Sequence, residues 1–131
     1  MRFLLDNSLA PRHARALDEL VKPQHSFTHV RQKFERAPPD ADWMLQLRQE
    51  GDWVVLSGDC RVATNPHERA AWQQSGLTVF FLNKAWMHLP PIQRQAKLTA
   101  VLGELLEHAG SAPSGAGSLI RANGRFTRLY P

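Results

Sequence analysis

The chain has 131 residues, 43% of them hydrophobic and 21% charged, which predicts one compact domain and excludes extended disorder and collagen-like repeats. Its net charge is +4, and twelve of its sixteen cationic residues are arginines, a balance that permits a nucleic-acid partner without establishing one. No apolar stretch approaches the roughly 20 residues of a membrane span, and the amino terminus reaches an aspartate, Asp6, too early for a secretory signal. The single cysteine cannot form an internal disulfide, so we expect a cytoplasmic protein with no membrane association.

The first third of the chain alternates between apolar runs and helical patterns. Residues 3–5 are an apolar run that predicts a strand. Ser8 is a good helix cap and Pro11 suits the first turn of a helix, so a helix is expected to follow. A second, weaker strand is predicted at residues 27–30, and the polar residues 31–39 are expected to form a loop.

The middle third repeats this alternation with stronger signals. Asp40 opens a helix that is expected to end at Gly51. Residues 53–56 form a continuous apolar run, which is typical of a parallel strand that is buried on both faces. Asn65, with the proline and glutamate that follow it, is a strong helix start, and residues 77–82 predict another strand.

The last third contains a long helix and a hairpin. The long helix is expected over residues 91–110. Residues 111–118 have the small, polar composition of a flexible linker. The Asn123-Gly124 pair predicts a turn, and residues 119–130 are therefore expected to form a β-hairpin that joins a sheet edge or packs beside the long helix.

The order of these elements predicts the fold class. Strands that alternate with helices indicate an α/β protein with three layers, in which helices flank a central, mostly parallel sheet. Residues 1–110 are expected to form the main body of the domain. Residues 111–131 are expected to add the linker and the hairpin to the same domain.

Aspartates recur where the predicted strands end. Asp6 follows the first strand, Asp59 follows the third, and Asp40 and Asp42 open the helix after the second. The carboxyl ends of parallel strands share one sheet edge, so these side chains should converge there. Each aspartate alone fits an ordinary cap or turn. Together they predict a site for a hard cation such as Mg²⁺ or Mn²⁺, as in a hydrolytic nuclease.

Four segments resemble the PIN-like domain family, and in particular its compact branch of VapC-type toxins. They are FLLDNSLAPR at 3–12, PDADW at 39–43, VVLSGD at 54–59 and NPHER at 65–69 with the following strand. The resemblance implies a small α/β endoribonuclease that uses Mg²⁺ or Mn²⁺ held by acidic residues. Asp6, Asp40 and Asp59 take the catalytic and metal-binding positions, and Asp40 is preferred to Asp42 because it stands three residues before Trp43.

The sequence departs from the family pattern at two acidic positions. Arg61 and Asn65 occupy the neighbourhood in which many PIN domains place a fourth acid, and Glu35 is only a weak substitute for another. Ser57 fits the Ser or Thr that usually precedes the last acid; its hydroxyl is expected either to orient a metal-bound water or phosphate, or to bond the backbone. Ser57, Asp42 and Asn65 are therefore supporting candidates.

Two functions follow as hypotheses. The first is a metal-dependent endoribonuclease that hydrolyses RNA phosphodiester bonds as the toxin of a toxin–antitoxin pair, with an antitoxin protein as partner and a homodimer left open. The second is a degenerate PIN-like module that binds RNA or a partner protein without cutting. The candidates for contacts with the RNA backbone are Arg12, Arg31, Arg36 and Arg61.

Overall fold

A computed structural model describes residues 1–34, 36 and 38–131 of the chain. Within these residues lie six strands: β1 (Arg2–Leu5), β2 (Ser26–His29), β3 (Trp53–Ser57), β4 (Thr78–Leu82), β5 (Gly117–Ile120) and β6 (Phe126–Tyr130). The helices are α1 (Pro11–Val21), α2 (Val30–Lys33), α3 (Asp40–Glu50), α4 (Pro66–Ser75), α5 (Lys84–Met87) and α6 (Pro91–Ser111), with a 3-10 turn at Cys60–Ala63.

The strands form one sheet in the order β2-β1-β3-β4-β5-β6. The pairings from β2 through β5 are parallel, and β6 pairs antiparallel with β5 at the edge. This architecture confirms the predicted α/β class, with its mostly parallel sheet and carboxy-terminal hairpin. None of the helices in the described part of the chain is long and apolar enough to cross a membrane.

Alternate side chains of the central strands bury on opposite faces of the sheet. Phe3 and Leu5 of β1 pack with residues of α1 and α6, whereas Leu4 between them packs with residues of α3 and α4. The same alternation runs through β3, which is buried along its whole length. These two apolar layers make the sheet the middle of three layers and fix which face each strand-end residue approaches.

Three local predictions were wrong. Ser8 does not cap α1, whose N-cap is Ala10 and has no side-chain cap bond. The second strand was predicted at residues 27–30, but β2 ends at His29, because the His29 side chain accepts a hydrogen bond from the backbone N–H of Arg31 at 3.0 Å and favours a helical turn. The predicted loop 31–39 therefore begins inside α2. Glu35 lies outside the described residues.

The prediction of a flexible linker over residues 111–118 was wrong at both ends of that segment. Ser111 is the last residue of α6, and Gly117 and Ser118 are buried in β5. Gly117 is needed because the Tyr130 ring of β6 packs where its Cβ would be: an added Cβ would lie 2.2 Å from Tyr130 Cζ. The small residues at the end of this segment therefore serve close packing within the sheet.

Two glycine substitutions test this packing. Gly117→Ala is expected to lower the free energy of unfolding by about 1–3 kcal/mol, because the aromatic ring must move away from its strand. Gly103→Ala in α6, where an added Cβ meets nothing within 4 Å, should raise it by about 0.5–1 kcal/mol through helix propensity. Denaturant unfolding of both variants measures the difference. Equal effects of the same sign would contradict the assignment of Gly117 to a packed strand.

Candidate active site

A surface cavity of about 430 Å³ opens at the carboxyl edge of the sheet. Its walls come from the segments that follow β1 and β3 and from the amino terminus of α3, as parallel topology predicts. The lining residues are Asp6, Asn7, Ser8, Asp40, Gly58, Asp59, Cys60 and Arg61. The three aspartates that sequence reasoning selected thus share one cavity, and Asp42 is not among its lining residues.

Asp6 is buried between two serines. Leu5 pairs with Leu56 in the β1–β3 register, so Asp6 and Ser57 are the next neighbours along these strands. The Ser57 hydroxyl donates a hydrogen bond to Asp6 Oδ2 at 2.5 Å. Asp6 Oδ1 accepts from the backbone N–H of Ser8 at 3.0 Å and from the Ser8 hydroxyl. The carboxylate is therefore held in one orientation despite being only 7% exposed.

Burial raises the pKa of Asp6 above its ordinary value. The hydrogen bonds from Ser57 and Ser8 work against this shift, while the negative charge of Asp59 adds to it. The ionised form of Asp6 is thus disfavoured by desolvation and by a second carboxylate nearby. A cation bound in the cavity would relieve both effects.

The two serines also position the loop after β3. Ser57 Oγ accepts a hydrogen bond from the backbone N–H of Asp59 at 3.0 Å, and Ser8 Oγ accepts one from the backbone N–H of Gly58 at 2.7 Å. Ser57 is fully buried and does not line the cavity. Its hydroxyl joins Asp6 to the Asp59 backbone, so Ser57 is a positioning residue that acts through both aspartates.

The carboxylate of Asp59 is saturated by hydrogen bonds. Its Oδ1 accepts from the backbone N–H of Arg61 at 3.0 Å and from Arg61 Nε at 2.9 Å. Its Oδ2 accepts from Arg61 Nη2 at 3.0 Å and from Trp72 Nε1 at 3.2 Å. Partial burial acts to raise the pKa of Asp59, but the hydrogen bonds from Arg61 and Trp72 outweigh it and hold that pKa below its ordinary value.

Asp40 is held by a tryptophan of its own helix. Asp40 is exposed at the first position of α3, after the N-cap Pro39, and its Oδ1 accepts a hydrogen bond from Trp43 Nε1 at 3.0 Å. Trp43 packs edge-to-face on Trp72, with ring centroids 6.1 Å apart. Trp43 and Trp72, which are buried in the core, therefore anchor two of the three aspartates through their indole N–H groups.

The oxygen donors in this cavity fit a hard divalent cation. Across residues 1–34, 36 and 38–131, no three His, Cys, Asp or Glu side chains stand close enough to hold a metal by themselves. Mg²⁺ sites commonly use only one or two carboxylates and complete their shell with waters and substrate phosphates. The carboxylates of Asp6, Asp40 and Asp59, which line the same cavity, supply oxygen donors of this kind.

The predicted RNA-contact arginines differ in where they lie. Arg31 of α2 is exposed, and its Nε donates a hydrogen bond to Asn7 Oδ1 at 3.1 Å beside the cavity. Arg61 lines the cavity, and Arg36 is exposed. Arg12 of α1 instead lines a separate surface pocket with residues of the α6 amino terminus, so the structure does not bring it to the aspartates.

Asn65 has a structural role in the observed fold. Its side-chain oxygen accepts hydrogen bonds from the backbone N–H groups of His67 at 2.9 Å and Glu68 at 3.4 Å, which caps α4. It lines a different, smaller pocket from the one that holds the aspartates. Its expected supporting role at the metal site is therefore not matched by its position.

Replacing Asp6 tests the cost of its buried charge. Asp6→Asn is expected to raise the free energy of unfolding in metal-free buffer at pH 7, because a neutral amide avoids desolvation and repulsion from Asp59. A raised folded-state pKa means that the wild-type chain loses stability as pH rises from 3.8 through that pKa. The advantage of the Asn variant should therefore shrink as pH falls towards 4.

Chemical denaturation at pH 4 to 8 measures this effect. Asp40→Asn is the matched control: it removes the same charge at the exposed start of α3 and should change stability by no more than about 0.5 kcal/mol. If Asp6→Asn is less stable than wild type at pH 7 while Asp40→Asn is unchanged, the buried charge of Asp6 does not destabilise the folded protein, which would contradict this interpretation.

Comparison with known proteins gives one match. A family model described as a PIN-like domain matches residues 1–84, a segment that contains Asp6, Asp40 and Asp59 together with the loops that form the cavity. Searches of curated proteins and of solved structures gave no match. The family model spans well over half of the 131 residues, and the chain belongs to the PIN-like domain family.

Proposed function

We propose that this protein is a Mg²⁺- or Mn²⁺-dependent endoribonuclease that hydrolyses RNA phosphodiester bonds with Asp6, Asp40 and Asp59. The observation that carries this proposal is the buried Asp6 carboxylate, fixed by two serines beside Asp59 in an open cavity. Carboxylates are rarely buried near one another unless a bound cation or a chemical role compensates for the repulsion. Membership of a family of nuclease type supports the same proposal.

The residues of the chain divide the work in this proposal. Asp6 and Asp59 supply negative oxygens on two adjacent loops, and Asp40, at the start of α3, lines the same cavity. These residues would hold a divalent cation, which would supply a water of lowered pKa and positive charge near the phosphodiester. Arg31, next to Asn7 at the cavity, is placed to hold a flanking phosphate. Ser57 and Ser8 keep Asp6 from rotating.

The biological setting belongs to the same proposal. Resemblance to VapC-type sequences supports a toxin whose activity an antitoxin protein restrains in the cytoplasm. The net charge of +4 suits an RNA substrate, since cationic surfaces attract the phosphate backbone.

The bonds of Asp59 favour a second candidate function. Its four lone pairs are taken by Arg61 and Trp72, so a ligand can bind this carboxylate only after a hydrogen bond is released. A chain in which that release never occurs would be a PIN-like module that binds RNA or a partner protein without cutting it.

Cleavage assays with Asn variants separate the two functions. With Mn²⁺ or Mg²⁺ and a structured RNA, Asp6→Asn, Asp59→Asn and Asp40→Asn are each expected to lower the rate about 100-fold or more, and EDTA should abolish wild-type cleavage. Asn keeps the shape of each side chain, so a purely structural role would leave the rate nearly unchanged.

Asp42→Asn provides the control for Asp40→Asn. Asp42 lies in the same first turn of α3 but does not line the cavity, and its replacement should change the rate less than about threefold, as for a surface charge. Cleavage that persists in all three Asn variants or in EDTA would contradict the nuclease mechanism. A folded wild-type chain that binds RNA with no cleavage would favour the binding module.

A further inference from the structure

The geometry points to Arg61 as a built-in counter-ion that competes with a divalent metal for Asp59. This inference rests on the proposed function, because it concerns the metal of the same site. Arg61 donates two parallel hydrogen bonds to the Asp59 carboxylate, from Nε to Oδ1 at 2.9 Å and from Nη2 to Oδ2 at 3.0 Å. Paired bonds of this kind occupy both oxygens that a metal would use. The guanidinium therefore neutralises Asp59 in the metal-free protein.

Arg61 reaches Asp59 because of the turn that follows β3. Asp59 caps the 3-10 turn at Cys60–Ala63 by accepting the backbone N–H of Arg61. That turn brings the side chain of Arg61 back onto the residue two positions before it. The contact is thus built by local chain geometry and forms with the fold itself.

A second acidic partner lets Arg61 leave Asp59 without losing all its ion pairs. Arg61 Nη1 lies 3.3 Å from Glu68 Oε1 on α4. The Arg61 side chain is 61% exposed, so little packing holds it over Asp59. An adjoining groove of about 500 Å³ gives the guanidinium room to move, and its charged lining residues are Asp40, Arg48, Asp59, Arg61 and Glu68.

Withdrawal of Arg61 changes what the cavity offers to a metal. With the guanidinium on Asp59, the two other carboxylates that line the cavity, Asp6 and Asp40, have no arginine partner among the described residues. With it on Glu68, both oxygens of Asp59 would be free of the guanidinium, while the backbone N–H of Arg61 and Trp72 Nε1 would still orient the carboxylate. Metal binding and the Arg61–Asp59 pair are therefore mutually exclusive, and the pair weakens the apparent metal affinity.

Calorimetric titration of the full chain with Mn²⁺, in the absence of RNA, tests this competition. Arg61→Lys keeps the positive charge but loses the planar fork, so it should bind Mn²⁺ about fivefold more tightly than wild type, as expected when a paired carboxylate is freed. Arg61→Gln should bind more tightly still. Arg31→Gln removes the same charge at the same edge without freeing any carboxylate, and should shift the affinity less than about twofold.

The outcomes separate this inference from the proposed function. Equal Mn²⁺ affinity of wild type and Arg61→Lys, with equal gains in Arg61→Gln and Arg31→Gln, would show only a general charge effect. That result would overturn the role of Arg61 and leave the nuclease proposal standing. Absence of Mn²⁺ binding in all four proteins would overturn both.

Discussion

The candidate site depends on one buried carboxylate. Asp6 directly follows β1 beside Ser57, and its oxygens are held by the hydroxyls of Ser57 and Ser8. Those hydroxyls in turn accept the backbone N–H groups of Gly58 and Asp59. One charged group therefore determines the course of the loops after β1 and β3. Without hydrogen bonds, a buried carboxylate would lower the free energy of unfolding. The hydrogen bonds reduce this penalty and hold the Asp6 carboxylate in one position in the cavity.

The hydrophobic core extends this order to the other two aspartates. The rings of Trp43 and Trp72 are buried between the sheet and helices α3 and α4, and each indole N–H donates a hydrogen bond to an aspartate of the cavity. Trp72 also meets Phe81 of β4 edge-to-face, with centroids 5.3 Å apart. The positions of Asp40 and Asp59 therefore depend on packing in the core. The close-packed apolar layers limit the movement of these polar side chains.

Charge balance at this edge is uneven. Asp59 has a guanidinium partner, while among the described residues Asp6 has only neutral hydrogen-bond donors and a carboxylate nearby. These environments move the two pKa values apart: burial raises that of Asp6, and hydrogen bonds from Arg61 and Trp72 lower that of Asp59 despite its partial burial. Asp59 is therefore the more readily ionised of the two carboxylates in this cavity.

Much of this arrangement follows from the sequence by simple rules. Parallel strands with alternating burial place Asp6, Asp40 and Asp59 at one edge, and the β1–β3 register sets Asp6 beside Ser57. Side-chain hydrogen bonds were harder to predict. Ser8 fits a helix cap as well as a carboxylate partner, and only the folded loop decides between them. The bond from Arg61 to Asp59 requires a 3-10 turn that no periodicity in this short segment indicates.

Gly117 shows a different limit of sequence reasoning. Its neighbours have the composition of a linker, yet it is buried because Tyr130, thirteen residues later in the chain, packs against its bare Cα. Composition describes local preference, whereas this requirement comes from a partner strand. The hydrogen bonds of the tryptophans could have been predicted, because a buried indole N–H needs an acceptor. Asp40 lies three residues before Trp43 in the sequence, and Asp59 lies at the predicted sheet edge.

Anomalous diffraction from crystals of the full chain soaked in Mn²⁺ would show whether the aspartates hold a metal. We expect a Mn²⁺ peak in the cavity bonded to oxygens of Asp6 and Asp59, with the Arg61 guanidinium moved from Asp59 towards Glu68. A cavity without a Mn²⁺ peak at saturating concentration, with the Arg61–Asp59 pair intact, would contradict this expectation.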